Sequence, residues 1–443
     1  MDIKKYIKTF DRYFKQNTIN SAKNVCFFDI QETLFKRSEE LPSNVNIIVT
    51  IPCYDDPEIF KALDSLEKNT TSKANACVFV LVNFSEDEPS DVKQRNIELY
   101  NSLLDYASTS RLFVKVFSAF DLPIKLSGVG VARKLLMDAA AYYYYINKRA
   151  HGIITSTDAD TLFESNYLDA LIRILGDVRV SGLSINFEHR IDEVKGRYRD
   201  AIVKYELYMR YYRMALLWCG HPYYYSCIGS AIATNAIDYV AQGGMSKKKA
   251  GEDFYFIQKL ITTNRFTETS DTKVFPSARL SNRTPFGTGR AIKEIAEDGG
   301  EYLVFSPSAF AILKDFFEKI VILCRDISKV TNKVLDDKLY LLVELLYSNL
   351  HPYLRECISL SELNKIILDA YANTSSEKKL IQRFFYNFNA LKVLQCLNLM
   401  HKENIERIDI FDALNSFLVN LGYSCKDNIY DMLLYLREND RII

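Results

Sequence analysis

The feature that most constrains this chain is a repeated alternation between short β-branched runs and amphipathic stretches. Residues 45–51 (VNIIVTI) are apolar almost throughout, are closed by Pro52 and are too short for a helix, which is how a strand covered on both faces reads. A turn, CYDDP, follows, and then EIFKALDSLEKN, in which Ile59, Leu63 and Leu66 recur at helical spacing. The pattern repeats with a strand over 76–84, a polar exit at 85–89, a helix over 92–106 and a strand over 112–117. Gly128 to Gly130 then lead into an Ala-rich helix over 131–148, and a fourth strand covers 152–157. Strands alternating with helices in this way predict an α/β fold, a doubly wound, mostly parallel sheet flanked by helices. In such sheets ligands sit beyond the carboxyl ends of the strands. Pro52 to Asp56, Asn83 to Glu88, the loop 125–133 and Asp158 to Asp160 all occupy such ends.

Around this sheet three segments are expected. Residues 1–44 read as an N-terminal helical or irregular segment that ends at Leu41, Pro42, Ser43 and Asn44. Residues 45–300 form the α/β domain, with further strands expected over 180–187 and 228–234. Beyond Gly299 and Gly300 the chain is rich in Leu and Ile at 3.6-residue periodicity with few turn signals, so 301–443 reads as a C-terminal all-helical module. No internal repeat interrupts this order.

Composition narrows the class of protein. The 443 residues include 56 Lys and Arg against 56 Asp and Glu, a balance that argues against a globally basic nucleic-acid binder or a protein held on anionic lipid by net charge. Nine cysteines are scattered without a CxxC pair, as expected of reduced core thiols in a cytoplasmic protein rather than zinc ligands or a disulfide framework. The N-terminus lacks an apolar signal-peptide region, and no uncharged apolar stretch reaches the length of a transmembrane span. The expectation is a cytoplasmic protein, with peripheral attachment to the inner face of a membrane left open.

Chemistry concentrates in four places. In TSTDADTLFESNYL a strand runs into Asp158, Ala159 and Asp160, and residues i and i+2 of extended chain project to one side, so both carboxylates can face a single point. Paired carboxylates suit Mg²⁺ or Mn²⁺ when diphosphate oxygens and water complete the shell. They equally suit an Asx turn capping a helix over 162–175, with Asp160 or Thr161 as N-cap. Downstream, Gly251, Glu252 and Asp253 open a helix after Gly243 and Gly244. Carboxylates in a first turn are favoured by the helix dipole, and a pair after a glycine-bearing loop also suits a general base at a cleft rim. Third, VFPSARLSNRTPFGTGRAI places Arg279, Arg283 and Arg290 around Gly287 and Gly289, where arginines can close over a diphosphate or simply be solvated. The segment LWCGHPYYYSCIGS gathers Trp218, His221 and Tyr223 to Tyr225. These are either aromatic core or contacts to sugar C–H faces and hydroxyls, with Trp218, His221 and Tyr224 the candidate acceptor-binding residues.

Taken in order, these pieces resemble the family 2 glycosyltransferases of the GT-A fold, inverting enzymes that carry a DxD motif. The match covers about residues 45–290 through IPCYDDPEIFKALDSL, GVGVARKLLMDAA, STDADTLFESNYL, the GG…GEDF helix and the R…R…GTG loop. The resemblance implies that Pro52 and Tyr54 line the nucleoside pocket, that Arg133 reaches the nucleotide, that Asp158 sits near the ribose and that Asp160 holds the metal. It implies Asp253 as the base, with Glu252 its competing neighbour. One departure is that the second strand ends in Asn83 where the family usually has a carboxylate pair reading the base. An asparagine can still accept from a uracil N3–H.

The expected function is therefore metal-dependent transfer of a sugar from a nucleotide-sugar, a UDP-sugar first, to a hydroxyl of a glycan or other acceptor, with Mn²⁺ or Mg²⁺ as cofactor and self-association through the helical module. A sugar-phosphate nucleotidyltransferase is a second reading, but it needs a glycine-rich basic loop after the first strand, where CYDDP is acidic. A third is a non-catalytic nucleotide-sugar-binding scaffold, against which an intact set of Asp158, Asp160 and Asp253 speaks.

Overall fold

The computed structural model describes residues 3–21, 25–69, 75–247, 251–280, 288–329, 336–403 and 405–439. The chain divides into two compact units, one of residues 1–194 and 227–290 and another of residues 195–226 and 291–443.

The first unit opens with two helices, α1 (Ile3–Ser21) and α2 (Val25–Ser38), and continues through β1 (Ile47–Cys53), α3 (Ile59–Glu67), β2 (Ala76–Ser85), α4 (Ser90–Thr109) and β3 (Phe113–Leu122). It then runs through α5 (Val129–Ile146), β4 (Ile153–Ser156), β5 (Leu162–Phe163), α6 (Tyr167–Leu175) and β6 (Gly182–Phe187). After α7 (Arg197–Trp218), which belongs to the second unit, it resumes with β7 (Ile232–Asn235), α8 (Ala236–Ala241), α9 (Glu252–Ile261) and β8 (Phe266–Phe275). The strands form one sheet in the order β3-β2-β1-β4-β7-β6-β8-β5. Only β7 and β5 run against the rest, because β4–β7, β6–β7 and β5–β8 are the antiparallel pairs. This is the doubly wound, mostly parallel architecture expected, in agreement with the GT-A type that the sequence resembles.

Burial explains the strand sequences. Every residue of β1, β4 and β6 is buried, so their apolar runs show no alternation. Strand order reverses direction between β1 and β4, which opens a crevice at their carboxyl ends. Pro52 fits this point. The carbonyl of Thr50 accepts from Thr157 N–H at 3.1 Å, so even-numbered residues of β1 face β4; β4 ends at Ser156, and two residues past Thr50 no donor is needed.

Several expected boundaries move. The helix expected over 162–175 begins only at Tyr167, because Leu162 and Phe163 pair with Phe275 and Val274 as a short strand; Asn166, not Asp160 or Thr161, holds the position before the helix. The strand expected over 228–234 is Ile232–Asn235, since a turn with Ala231 N–H donating to the Ile228 carbonyl precedes it.

Among the described residues, the second unit is helical apart from one short pair of strands. It comprises α7, most of α10 (Thr288–Glu297), β9 (Leu303–Val304), α11 (Pro307–Ser328), α12 (Asp336–Ser348), α13 (Pro352–Cys357) and α14 (Leu360–Ala372). It continues through α15 (Glu377–Asn387), α16 (Ala390–Glu403), β10 (Ile408–Asp409), α17 (Ile410–Asn420) and α18 (Ile429–Asn439). The expected 45–300 domain includes α7, whereas the structure groups α7 with the second unit. Tyr211 of α7 packs edge-on against Phe310 and Phe417, and Glu206 is held between Arg210 (2.8 Å) and Arg437 (2.9 Å). No described helix is long and apolar enough to cross a membrane.

Candidate active site

The site is built at the carboxyl ends of β1 and β4 and the start of α9. Beyond β4 the chain turns through Asp158, Ala159 and Asp160, with Thr161 N–H donating to the Asp158 carbonyl at 3.2 Å. Beyond β1, Asp55 takes a left-handed conformation (φ 46°) and is anchored outside the crevice, where Arg95 grips its carboxylate at 2.8–3.2 Å. This turn leaves Asp56 buried and pointing the other way, onto Arg279.

Arg279 therefore bridges two strand ends. Its guanidinium pairs with Asp56 and, at 3.0 Å, with Asp160. Arg190 supports the same turn by donating to the Asp160 backbone carbonyl at 2.6 Å. Burial pushes the Asp160 carboxyl up to about 6, Asp158 and Asp56 add to this, and Arg279 and Arg190 pull the other way. Burial is thus the first cause of the shift, and the two nearby arginines do not reverse it.

A second bridge joins β4 to α9. Arg133 is buried; one terminal nitrogen donates to Asp158 and the other to Glu252 Oε1 at 2.5 Å. Burial works against the Arg133 charge, but Asp158, Glu252 and Asp253 more than offset it, so its pKa lies above the ordinary arginine value. Gly229 makes the room, since a Cβ there would lie 2.3 Å from the Arg133 guanidinium. Glu252 is 2% exposed and its carboxyl is raised, first by burial. Asp253, next on the helix, is only half-buried, and its Oδ1 accepts from the Phe254 N–H at 2.8 Å. Adjacent helix residues point in different directions, so Glu252 bonds to the buried arginine while Asp253 acts on it only through its charge.

The remaining expected residues fall as follows. Pro52 and Asn83 are buried at the ends of β1 and β2, and Tyr54 is half-buried on the same turn as Asp56. Arg283 lies outside the described residues, and Arg290 is exposed near the start of α10. Trp218, His221 and Tyr224 belong to the second unit. There His221 is buried among Phe317, Phe385 and Tyr223, hydrogen-bonded to the Phe388 carbonyl at 3.1 Å, while Trp218 packs on Phe417 and lies under Lys314. Tyr224 stacks on Tyr225 and faces Arg213. Two contributors carried no usable sequence signal: Asp56 was visible only as part of an acidic turn, and Arg190 reaches Asp160 across 30 positions of chain.

Around the DxD turn, Ser156 Oγ, Thr157 Oγ1, Thr161 Oγ1 and Nε of Arg133, Arg190 and Arg279 are buried without a partner among the described residues. Buried polar groups are seldom left so, and a concentration of them at one strand end marks a place built for polar ligand atoms or water. No group of three or more His, Cys, Asp or Glu is assembled for a metal among the described residues. A cation here would rest on Asp160 and Asp158 with non-protein oxygens completing its shell, and a partly buried carboxylate beside unpartnered hydroxyls fits that role.

No protein-family model matches the chain, and no curated protein matches it. Among solved structures, S. aureus TarS 1-349 in complex with UDP-GlcNAc is similar at 14% identity and a TM-score of 0.39, covering 77% of this chain and 90% of that one. The mannosyltransferase PcManGT from Pyrobaculum calidifontis, in complex with GDP-Man and Mn²⁺, is similar at 13% identity and a TM-score of 0.34, covering 88% and 98%. Similarity at this level says nothing of activity, and the site's own residues have to carry any functional reading.

Proposed function

We propose that this protein is a glycosyltransferase that moves a sugar from a nucleotide-sugar, a UDP-sugar first, to an acceptor hydroxyl with inversion. The observation that carries this reading is the double bridge at the sheet's switch point. Arg279 joins Asp56 to Asp160, and Arg133 joins Asp158 to Glu252, the first residue of the helix that also bears Asp253, so the carboxylates at two strand ends are tied to the start of that helix.

In this reading Pro52 and Tyr54 line the nucleoside pocket, Asn83 accepts from the base and Asp158 lies near the ribose. Asp160, with Asp158, holds Mn²⁺ or Mg²⁺. The metal, when bound, neutralises charge on the departing diphosphate. Arg279, on the loop after β8, exchanges a carboxylate for a diphosphate oxygen as the donor enters. Asp253 accepts the acceptor's proton as the new O–C bond forms at the anomeric carbon and the bond from that carbon to the phosphate oxygen breaks. Glu252 is assigned to holding Arg133, because a carboxylate in a buried ion pair is a poor proton acceptor.

The test is incubation of the full chain with a panel of UDP- and GDP-sugars plus Mn²⁺, following release of nucleoside diphosphate and the anomeric configuration of the product by NMR. Turnover of one donor with inversion supports the reading. Retention, or no turnover and no binding of any member, overturns it.

A further inference from the structure

Outside the crevice, the first unit buries a second polar cluster that the chemistry above does not use. Its centre is Asp138 on α5, fully buried. Four donors from four helices converge on its two oxygens: Tyr13 Oη from α1 at 2.6 Å, Gln31 Nε2 from α2 at 3.0 Å, Lys134 Nζ from α5 at 2.9 Å and Tyr239 Oη from α8 at 2.7 Å. A buried carboxylate satisfied from so many elements holds them in one arrangement, since loss of any donor leaves the rest to rearrange in a low dielectric.

Two further contacts connect this cluster to the helix carrying Asp253. Tyr239 packs edge-on against Phe256 of α9, with ring centroids 5.4 Å apart, and Phe256 is buried. The Tyr239 hydroxyl also accepts from the Met245 N–H at 3.2 Å, in the loop leading towards α9. Gly244 of that loop has φ +65°, and a Cβ there would lie 2.1 Å from the Tyr13 hydroxyl. The loop can close on Tyr13 only because residue 244 lacks a side chain.

The geometry points to α1 as a working part of the catalytic apparatus: Tyr13 and Asp138 are positioning residues that set the loop 243–247 and α9. This rests on the assignment of Asp253 as base. Arg133 and Lys134, neighbours on α5, then serve two points of α9, one at its first residue through Glu252 and the other mid-helix at Phe256 through Asp138 and Tyr239.

The experiment compares Tyr13→Phe, Gly244→Ala and the double variant in the full chain. Hydrogen exchange of the α9 amides should rise about fivefold in Tyr13→Phe, the size of one net hydrogen bond, without change in β1 or β2. Nucleoside-diphosphate release from the UDP- and GDP-sugar panel should fall with kcat while UDP and GDP affinity stays within twofold. Tyr13→Phe should partly rescue Gly244→Ala, because it removes the atom that the new Cβ meets. Unchanged α9 exchange, or strictly additive effects of the two substitutions, overturns the inference. Asp253→Asn is run alongside. If it abolishes turnover while Tyr13→Phe leaves kcat intact, the positioning role fails and the enzyme reading stands. If Asp253→Asn turns over normally, the assignment of Asp253 as base has failed while the enzyme reading stands, and α9 exchange alone decides the coupling.

Discussion

Replacing Arg133 by methionine keeps most of the side chain's volume and removes its charge. Asp158 is 42% exposed on its side chain and can be resolvated, but Glu252 is 2% exposed and is left as a buried, unpaired carboxylate. Breaking a buried pair from one side typically costs about 3–5 kcal/mol. At about 2–4 °C per kcal/mol for a unit of this size, the melting temperature should fall by about 6–20 °C at pH 7.5. The loss must depend on pH. The Glu252 carboxyl is already raised by burial, and without Arg133 it rises further, so the folded state keeps a proton that the unfolded chain releases. The destabilisation is therefore full at neutral pH and fades as pH falls towards the unfolded glutamate value of about 4.3. Adding Glu252→Gln to Arg133→Met should recover much of the lost stability at pH 7.5, since no charge is then stranded. Thermal unfolding of the full chain, followed at pH 7.5 and 5, measures all of this. A loss under about 3 °C at pH 7.5, or the same loss at both values, would refute the assignment of this bridge as a buried ion pair.

Other outcomes follow from the same geometry. Asp160 titrates at about 6, so Mn²⁺-dependent nucleotide binding should weaken as pH falls through 6, and EDTA should remove that dependence in the wild type. Because this pKa is raised on folding, metal-free Asp160→Asn should melt higher than wild type above pH 6 and no higher at pH 4; equal melting across that range would exclude the strained carboxyl. Asp253→Asn should lower kcat by about 10² to 10⁴ with UDP or GDP affinity unchanged, and near-normal transfer would remove it as base. In the second unit, burial pushes the His221 imidazole down to about 4, so its contribution is present above pH 6.5 and lost as pH falls. His221→Phe should flatten the pH dependence of that unit's stability between 6.5 and 4, whereas an unaltered profile would mean that the ring is solvated.

The strands were legible because burial on both faces leaves an uninterrupted apolar run, and β1, β2 and β4 overlap VNIIVTI, ACVFVLVNF and GIITST, although β1 begins two residues later and runs through Pro52 to Cys53. Asp158, Asp160, Glu252 and Asp253 were legible as residue types at strand and helix ends. Their partners were not. Arg133 reads in sequence as one basic position in an Ala-rich helix, and nothing local says that it spans 25 positions to Asp158 and 119 to Glu252. The placement of α7 was misread for a related reason: its polar and apolar residues alternate around the whole helix, and only Tyr211 and Glu206 against distant helices decide where it packs.

In the proposed function, the crevice at the ends of β1 and β4 binds a nucleoside diphosphate through a metal on Asp160. Isothermal titration of UDP and GDP into the full chain, with and without Mn²⁺ and in wild type and Asp160→Asn, tests it directly. One nucleotide should bind only with Mn²⁺, and its binding should be lost or weakened at least tenfold, about 1.4 kcal/mol, in Asp160→Asn. Binding of neither nucleotide, or Mn²⁺-dependent binding that Asp160→Asn leaves untouched, would contradict it.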